Sequence, residues 1–507
     1  MPADSVDDCV LRYVESKPLD RRRQAAGQTV GQCFLAAPLL SDSPCPGKVG
    51  DGHPGSPVID AWAGALARVM QVWLVNPFDP CPGGAEQLGR YAHLVRALRD
   101  AGHEVVWWSS TFSHRFKKDV DAASLQRQAA SWGFDLRLIP TPRYQSNVSV
   151  RRLWSHVVYA RRFRKLAECL EHPDLILASS PPLEVAGEVA FLGRRWNVPA
   201  IIDIQDRWPD AFVRVLPNAA RGLNRLLLLP WYRAERQAYR AADGIIGVAR
   251  GYVERGLAVG GEKKYSGVFP IGVHLGDVDE AIARGAETYG QRWTKPDDCI
   301  WMIYSGSLTR NYDFLTVIRA AVLSRQRFGG RVRFLITGQG HLAEKARRIV
   351  RRESLDNVEM CGFLDFEEWA YLVSQADAGF NVSFPDALIY MPNKVFFYMA
   401  AGLALLNTIP GQCAELIARH DCGVNYAAGN VDACFACIRK LVEAPEELHR
   451  MKAASRRLAE TAFDRRIIDR EFVSFLSDVA DDYRRVRSGE PGRFSRDQRS
   501  AEFALWE

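Results

Sequence analysis

Residues 391–402 read M-P-N-K-V-F-F-Y-M-A-A-G, and a short apolar run, Leu403–Leu406, follows directly. A proline opens a helix, Lys394 falls in its first turn, and Ala-Ala-Gly closes it before the next strand. Orphan backbone N–H groups at such a helix start, joined by one ammonium, gather positive potential, a setting suited to phosphate.

The sequence on either side alternates strand and helix patterns. From Met70 the strands are 72–75, 104–108, 174–177, 200–204, 245–248 and 267–269, with helices over 86–101 and 183–196. After a linker around 271–298 the pattern restarts. Strands fall at 300–304, 332–336, 358–361, 378–380 and 403–406, with helices at 313–326, 343–352, 367–375 and 431–441. Apolar strands interleaved with helices imply parallel sheets covered on both faces. The expected fold is therefore α/β, with two doubly wound, Rossmann-like domains facing each other across a cleft at the strands' C-terminal ends. The expected divisions are 70–270, 271–463, a helix over 464–487 and a charged tail over 488–507. Residues 1–69, rich in Pro, Gly, Ser and Asp, have no sustained period and are expected to be a disordered extension.

Composition fits a globular chain, with 47% apolar and 25% charged residues over 507 positions. The net charge of +6 is locally concentrated in R-R-L-W-S-H-V-V-Y-A-R-R-F-R-K, residues 151–165. That run reads either as a solvated helix face or as a contact for anionic lipid headgroups or a polyprenyl-diphosphate acceptor. No recognition module for nucleic acid accompanies it. Eleven irregularly spaced cysteines argue for a reducing compartment, and Cys434 and Cys437 read as part of an amphipathic helix rather than a metal or redox pair. No secretory signal is visible, and no apolar stretch reaches the roughly 18 residues of a membrane span.

Several loops carry chemistry. In N-P-F-D-P-C-P-G-G-A-E-Q-L (76–88), Gly83 and Gly84 precede a helix, so they read as a tight turn or as bare backbone that approaches a ligand. V-R-F-L-I-T-G-Q-G-H-L-A (332–343) meets the dinucleotide fingerprint through Gly338, Gly340 and Ala343. The strand after it ends Met360-Cys361-Gly362, without the acidic residue that a redox enzyme needs for the ribose.

Taken together, P-N-K-V-F-F-Y-M-A-A-G, the Gly-Gly-Ala-Glu turn, and S-S-P-P (179–182) followed by D-R-W-P (206–209) resemble the family-4 retaining glycosyltransferases of the two-Rossmann (GT-B) type. The 179–210 stretch looks like the subgroup that builds bacterial surface or lipid-linked polysaccharides, where S-S-P-P and D-x-W-P occur at this separation. The resemblance implies a transferase that needs no metal or cofactor and passes sugar from a nucleoside-diphosphate donor to a sugar or polyprenyl-linked acceptor. The setting would be cytoplasmic, with an anionic membrane surface as a further partner, and the last helix would cross back onto the first domain. It also assigns residues. Arg310 and Lys394 would hold the diphosphate, while Gly83, Gly84, Gly306, Gly338, Gly340 and Asn393 would line the donor site and Phe363 would meet the base. Asp206 would hold a sugar hydroxyl or orient the acceptor, the alternative being that it caps the turn before Pro209. Glu235 matches a helix glutamate of structural kind, and Gln205 stands where many relatives have histidine.

One position departs from the pattern. Phe397, with Ile389 eight residues earlier, occupies the places of two family glutamates, the second of which binds ribose. A ring accepts no hydrogen bond from a diol, and each unpaired hydroxyl costs about 1–3 kcal/mol. Three explanations stand: Asp386 reaches in, the ribose is held otherwise, or transfer is lost and a binding role kept. The remaining readings are thus an active transferase, a non-catalytic protein of the same fold that assists a partner, and a sugar epimerase.

Overall fold

The computed structural model describes residues 68–82, 89–213, 222 and 226–494. The expectations for residues 1–67, for Gly83 and Gly84, and for the tail beyond 494 lie outside these residues.

The first sheet consists of β1 (Gln71–Val75), β2 (Glu104–Ser110), β3 (Asp135–Ile139), β4 (Leu175–Ser180), β5 (Ala200–Ile204), β6 (Gly244–Gly247) and β7 (Tyr265–Val268). The second consists of β8 (Ile300–Ser305), β9 (Val332–Thr337), β10 (Val358–Gly362), β11 (Ala378–Asn381), β12 (Ala404–Asn407) and β13 (Gly423–Asn425). All pairings in both are parallel. In space the strands run β3-β2-β1-β4-β5-β6-β7 and β10-β9-β8-β11-β12-β13. Each is a doubly wound order, reversing beside its first strand, and the crevice at that reversal is where ligands bind. The apolar runs read in the sequence are these strands, buried on both faces: Val72, Leu74 and Val75 are fully enclosed, as are Met302, Ile303 and Tyr304.

Two strands were not expected. In β3, D-L-R-L-I interrupts its apolar run with charge, and β13 has only three residues. The segment 271–298, expected as a linker, holds a helix, Leu275–Tyr289, packed on helix Phe366–Gln375. Gly285 makes that contact close, since a β-carbon there would lie 2.3 Å from the Glu367 carbonyl oxygen. Its buried face of Leu275, Val278 and Ala281 follows a helical spacing.

Helix Arg465–Arg487 begins at an Asp464 cap that accepts from the Arg466 N–H at 3.0 Å. It returns to the first lobe, against helix Arg90–Asp100, where Phe472 stacks on Phe269 with centroids 4.4 Å apart. The chain therefore passes twice between lobes, and the two passages are bonded to each other. Val273 N–H donates to the Phe463 carbonyl and Arg465 N–H to the Val273 carbonyl, both at 2.9 Å. Two buried arginines fasten the first passage. Arg90 donates to the carbonyls of Phe269 (2.6 Å) and Pro270 (3.2 Å) and to Asp203 (2.9 Å), and Arg465 donates to the Ile271 carbonyl at 2.7 Å. No helix of the described residues is long and apolar enough to cross a membrane.

Asp203 is wholly enclosed and Arg90 nearly so. Arg90→Ala would leave the buried Asp203 carboxylate without its counter-ion and the Phe269 and Pro270 carbonyls without their donor, and is expected to cost about 3–5 kcal/mol of unfolding free energy, read by urea denaturation. A loss below about 1 kcal/mol, the worth of an exposed pair, would contradict this account.

Candidate active site

β8 ends at Ser305-Gly306, at the reversal point of the second sheet. Two side chains hold this turn. Tyr398 hydroxyl accepts from the Ser305 N–H at 2.8 Å, and Trp369 Nε1 donates to Ser305 Oγ at 2.8 Å. Tyr398 belongs to helix Asn393–Ala400, so the turn and the helix start are positioned together. Pro392 precedes that helix and supplies no side-chain cap, which leaves its first N–H groups open.

Lys394 occupies the space between turn and helix. A β-carbon added at Gly306, whose φ is 145°, would lie 3.2 Å from the Lys394 Nζ. The ammonium sits 4.3 Å from the Tyr304 ring centroid and 4.7 Å from that of Tyr312. Its nitrogen is sealed from solvent and has no hydrogen-bond partner among the described residues. Burial without a counter-charge brings the group from its ordinary 10.5 to about 7. An enclosed, unpaired ammonium beside an uncapped helix start is chemically complete only with an anion.

The other expected residues divide. Gly306 and Asn393 lie at this spot, Asn393 being exposed as the first residue of the helix. Arg310, four residues past Gly306, is exposed and makes no hydrogen bond or ion pair among the described residues. Phe363 is 68% exposed at the end of β10, a ring available for stacking. Gly338 and Gly340 have a different immediate reason for lacking side chains. Their β-carbons would fall 1.9 Å from the Gly306 oxygen and 2.3 Å from the Leu308 oxygen. The clearance that a dinucleotide fingerprint reserves for a pyrophosphate is filled by the protein's own 306–308 loop, with Leu308 N–H on the Gln339 carbonyl at 2.8 Å.

Phe397 packs its ring against Trp369 (4.5 Å between centroids) and Phe366 (5.5 Å). With Asn393, His93, His274 and Arg465 it borders a cavity of about 370 Å³ between the second lobe and the crossover. His93 stacks parallel to His274 at 6.3 Å, and burial together with the nearby Arg465 brings it down to about 3, so the ring is neutral.

On the first lobe, Asp206 follows β5 at the cleft. One of its oxygens accepts from the Arg207 N–H at 2.7 Å, so the turn-capping role is real. The carboxyl is reached by solvent yet flanked by protein, and this desolvation raises its proton affinity. Burial raises Tyr312 of the opposite lobe, the ring beside Lys394, and the charge of Asp206 adds to that rise. Gln205 turns away, donating to Asp203 at 3.0 Å. Glu235 is structural: Arg255 holds it at 3.1 Å, and burial lifts it to about 7. Arg207 spans the lobes, donating to the Tyr390 hydroxyl at 3.0 Å. Cys434 and Cys437 are free thiols on helix Val431–Glu443. Tyr304, Tyr312, Trp369 and Phe366 were not singled out in the sequence, because their roles depend on loops meeting in space.

Residues 88–270 match the model of the glycosyl transferase 4-like domain, and residues 300–444 that of glycosyl transferases group 1. The chain belongs to the glycosyltransferases of the GT-B class, and its two matches are consistent with family 4. No curated protein matches the sequence. Solved structures of the same fold include Anabaena HepE with UDP-glucose, at 15% identity and TM-score 0.56, covering 80% of this chain and 99% of that one. Sucrose-phosphate synthase from Thermosynechococcus elongatus is 15% identical with TM-score 0.58, covering 83% and 100%. WaaG, a glycosyltransferase involved in lipopolysaccharide biosynthesis, is 14% identical with TM-score 0.55, covering 81% and 99%.

The Lys394 geometry gives a signed pH dependence. The amine is charged below about 7 and must take up a proton to bind an anion above it. Affinity for a nucleoside diphosphate, by calorimetry, is expected to fall by up to about tenfold per pH unit above that point. Lys394→Ala should bind weakly with no such slope. A wild-type affinity that stays constant from about pH 6.5 to 9 would rule out Lys394 as the anion's partner.

Proposed function

We propose that the protein transfers a glycosyl group from a nucleoside-diphosphate sugar to an acceptor hydroxyl, with retention and without a metal, in the synthesis of a surface polysaccharide or glycolipid. The buried, unpartnered ammonium of Lys394 at the helix start carries this reading. In the donor complex it would face the diphosphate, with Gly306 and the Asn393 and Lys394 N–H groups close by and Arg310 closing over from solvent. As the bond from the sugar's anomeric carbon to the diphosphate breaks, these groups stabilise the charge left on the leaving oxygen. Phe363 would stack on the base. Asp206 would hold the acceptor hydroxyl as the new bond to the anomeric carbon forms. Residues 70–270 would form the acceptor lobe, 271–463 the donor lobe, and 464–487 the helix joining them. HepE has been solved with UDP and with UDP-glucose, which makes uridine diphosphate sugars the first donors to test.

One observation favours a second reading. Phe397 is seated in an aromatic cluster with Trp369 and Phe366, so the ribose glutamate of the family is replaced by packing. A donor-binding partner protein without transfer would tolerate that replacement. The two readings separate in one experiment: a screen of nucleotide sugars by calorimetry, followed by mass-spectrometric detection of transferred sugar. Transfer abolished by Lys394→Ala, with donor affinity lowered by about 2–5 kcal/mol, is expected. Binding without transfer to any acceptor supports the partner role, and no binding of any donor removes both.

Attachment at the inner membrane face is the proposed location. Val150, Trp154, Leu226 and Leu227 are all more than half exposed, and Arg151, Arg161 and Lys165 are exposed on the helix that carries Trp154. Apolar tips with a basic surround suit an anionic bilayer. Vesicles of phosphatidylglycerol should sediment the protein, and Trp154→Ser with Leu226→Ser and Leu227→Ser should release it; unchanged sedimentation would refute the surface.

A further inference from the structure

The basic run at 151–165 does not act as one face. Arg151, Arg161 and Lys165 point to solvent, Arg162 donates to the Pro140 carbonyl at 2.7 Å, and Arg164 lies 3.5 Å from Glu188. Arg152 alone turns inward, where the hairpin Phe112–Asp119 brings further basic groups to meet it.

We infer that the first lobe holds a phosphate site of its own, built by Arg152, Lys117 and His114 at the start of helix Val150–Ala167, and that it takes a phosphate or diphosphate group borne by the acceptor. The inference rests on the glycosyl-transfer reading and names the acceptor's chemical class.

Asn147 draws the two permanent cations together. Lys117 Nζ donates to Asn147 Oδ1 at 2.6 Å, and Arg152 Nη1 donates to the Asn147 carbonyl at 2.8 Å. Lys117 Nζ also lies 3.3 Å from His114 Nδ1, which in turn is 2.6 Å from the Tyr144 hydroxyl. Lys117 adopts a left-handed backbone, φ 56°, which a residue with a side chain rarely takes. Rings form the floor: the Arg152 guanidinium is 4.7 Å from Trp208 and 5.5 Å from Phe78, and the Lys117 ammonium 4.9 Å from Tyr144. Ser149 caps the helix and accepts from Arg152 N–H at 3.2 Å, so the helix dipole adds to the same potential.

Among the described residues the cluster lacks matching negative charge. Arg152 Nε is buried without a partner. One helical turn on, His156 is 2% exposed and packs at 5.4 Å on both Phe78 and Trp208, the rings that Arg152 covers. Neither of its ring nitrogens has a hydrogen-bond partner, and Glu184 stands 3.8 Å from Nδ1. Burial, with repulsion from neighbouring cations, brings His114 to about 4, His156 to about 3 and Lys117 below its ordinary value, and burial alone lowers Arg152. Among the described residues, Asp206 is the carboxylate whose charge offsets that of Arg152. A phosphate would satisfy the cluster, and an acceptor held there would present its sugar toward Asp206 and the donor lobe beyond. No donor-lobe residue takes part, so this site is separate from that of Lys394.

The test is calorimetry with inorganic pyrophosphate on the full chain carrying Lys394→Ala, which disables the donor ammonium. Binding should survive, and adding either Arg152→Gln or Lys117→Gln should weaken it by at least about tenfold, with the thermal midpoint unchanged. The Lys117 variant keeps the test decisive if Arg152→Gln misfolds. Binding that disappears with Lys394→Ala alone, or that ignores both cations, overturns the inference while leaving the donor site standing. Survival of all pyrophosphate binding in Lys394→Ala, with loss in the Arg152 variant, supports it even where the donor reading fails. Two further arms identify the source: glucose 6-phosphate in solution, and phosphatidylcholine vesicles carrying undecaprenyl diphosphate. Arg152-dependent binding to either supports the site and names the acceptor type, and binding to neither overturns it.

Discussion

Two arginines buried at the crossover hold the two sheets in one molecule. Arg90 and Arg465 together occupy three consecutive carbonyls, Phe269, Pro270 and Ile271, where the chain leaves the first lobe. An irregular passage between two sheets would otherwise leave these acceptors unmet, since neither sheet offers a partner. Guanidinium suits the task because its fixed fork serves several acceptors at once. Each is itself neutralised by a carboxylate of its own lobe or helix, Asp203 for Arg90 and Asp469 for Arg465. The crossover that carries these bonds also borders the cavity at Asn393 and Phe397. The interaction that joins the lobes is thus one wall of the site they share.

Charge in the cleft follows a common logic on its two sides. In each lobe, cations are gathered at a helix start, set over aromatic rings, and left short of counter-charge. Rings contribute attraction without hydrogen bonds, which keeps a cation in place but leaves its donors open for a ligand. Lys394 over Tyr304 and Tyr312, and Arg152 over Trp208 and Phe78, are the same device on opposite walls. The cost is a lowered basicity in the empty protein. An arriving anion removes that cost, so binding energy and proton uptake are coupled.

The sheets were legible in the sequence because buried parallel strands need continuous apolar runs, and I-W-M-I-Y or A-I-I-D-I admits few other readings. Helix 275–289 was missed since its apolar positions sit among Gly, Asp, Glu and Arg between two clear series. Within the site, P-N-K and the S-G turn announced themselves because a helix start and a glycine carry their chemistry locally. Gly338 and Gly340 resembled ligand-facing glycines, yet their immediate constraint is the neighbouring loop, a contact that no spacing encodes. The Arg152–Lys117 pair was equally hidden: separated in sequence by roughly the length of one βαβ unit, the two meet through Asn147.

Phe397 shows what a lost hydrogen-bonding group leaves behind. A glutamate here would sit against Trp369 and Phe366, half-buried among rings, where its charge is poorly solvated unless a ribose answers it. The phenyl ring removes that requirement, and the same three rings instead stiffen the helix that carries Lys394 and the residue, Trp369, that holds Ser305. Under the proposed donor reading, recognition would shift from the ribose toward the diphosphate and the base. A donor site so arranged would depend on electrostatics more than on a diol contact, which would make the protonation of Lys394 its controlling variable.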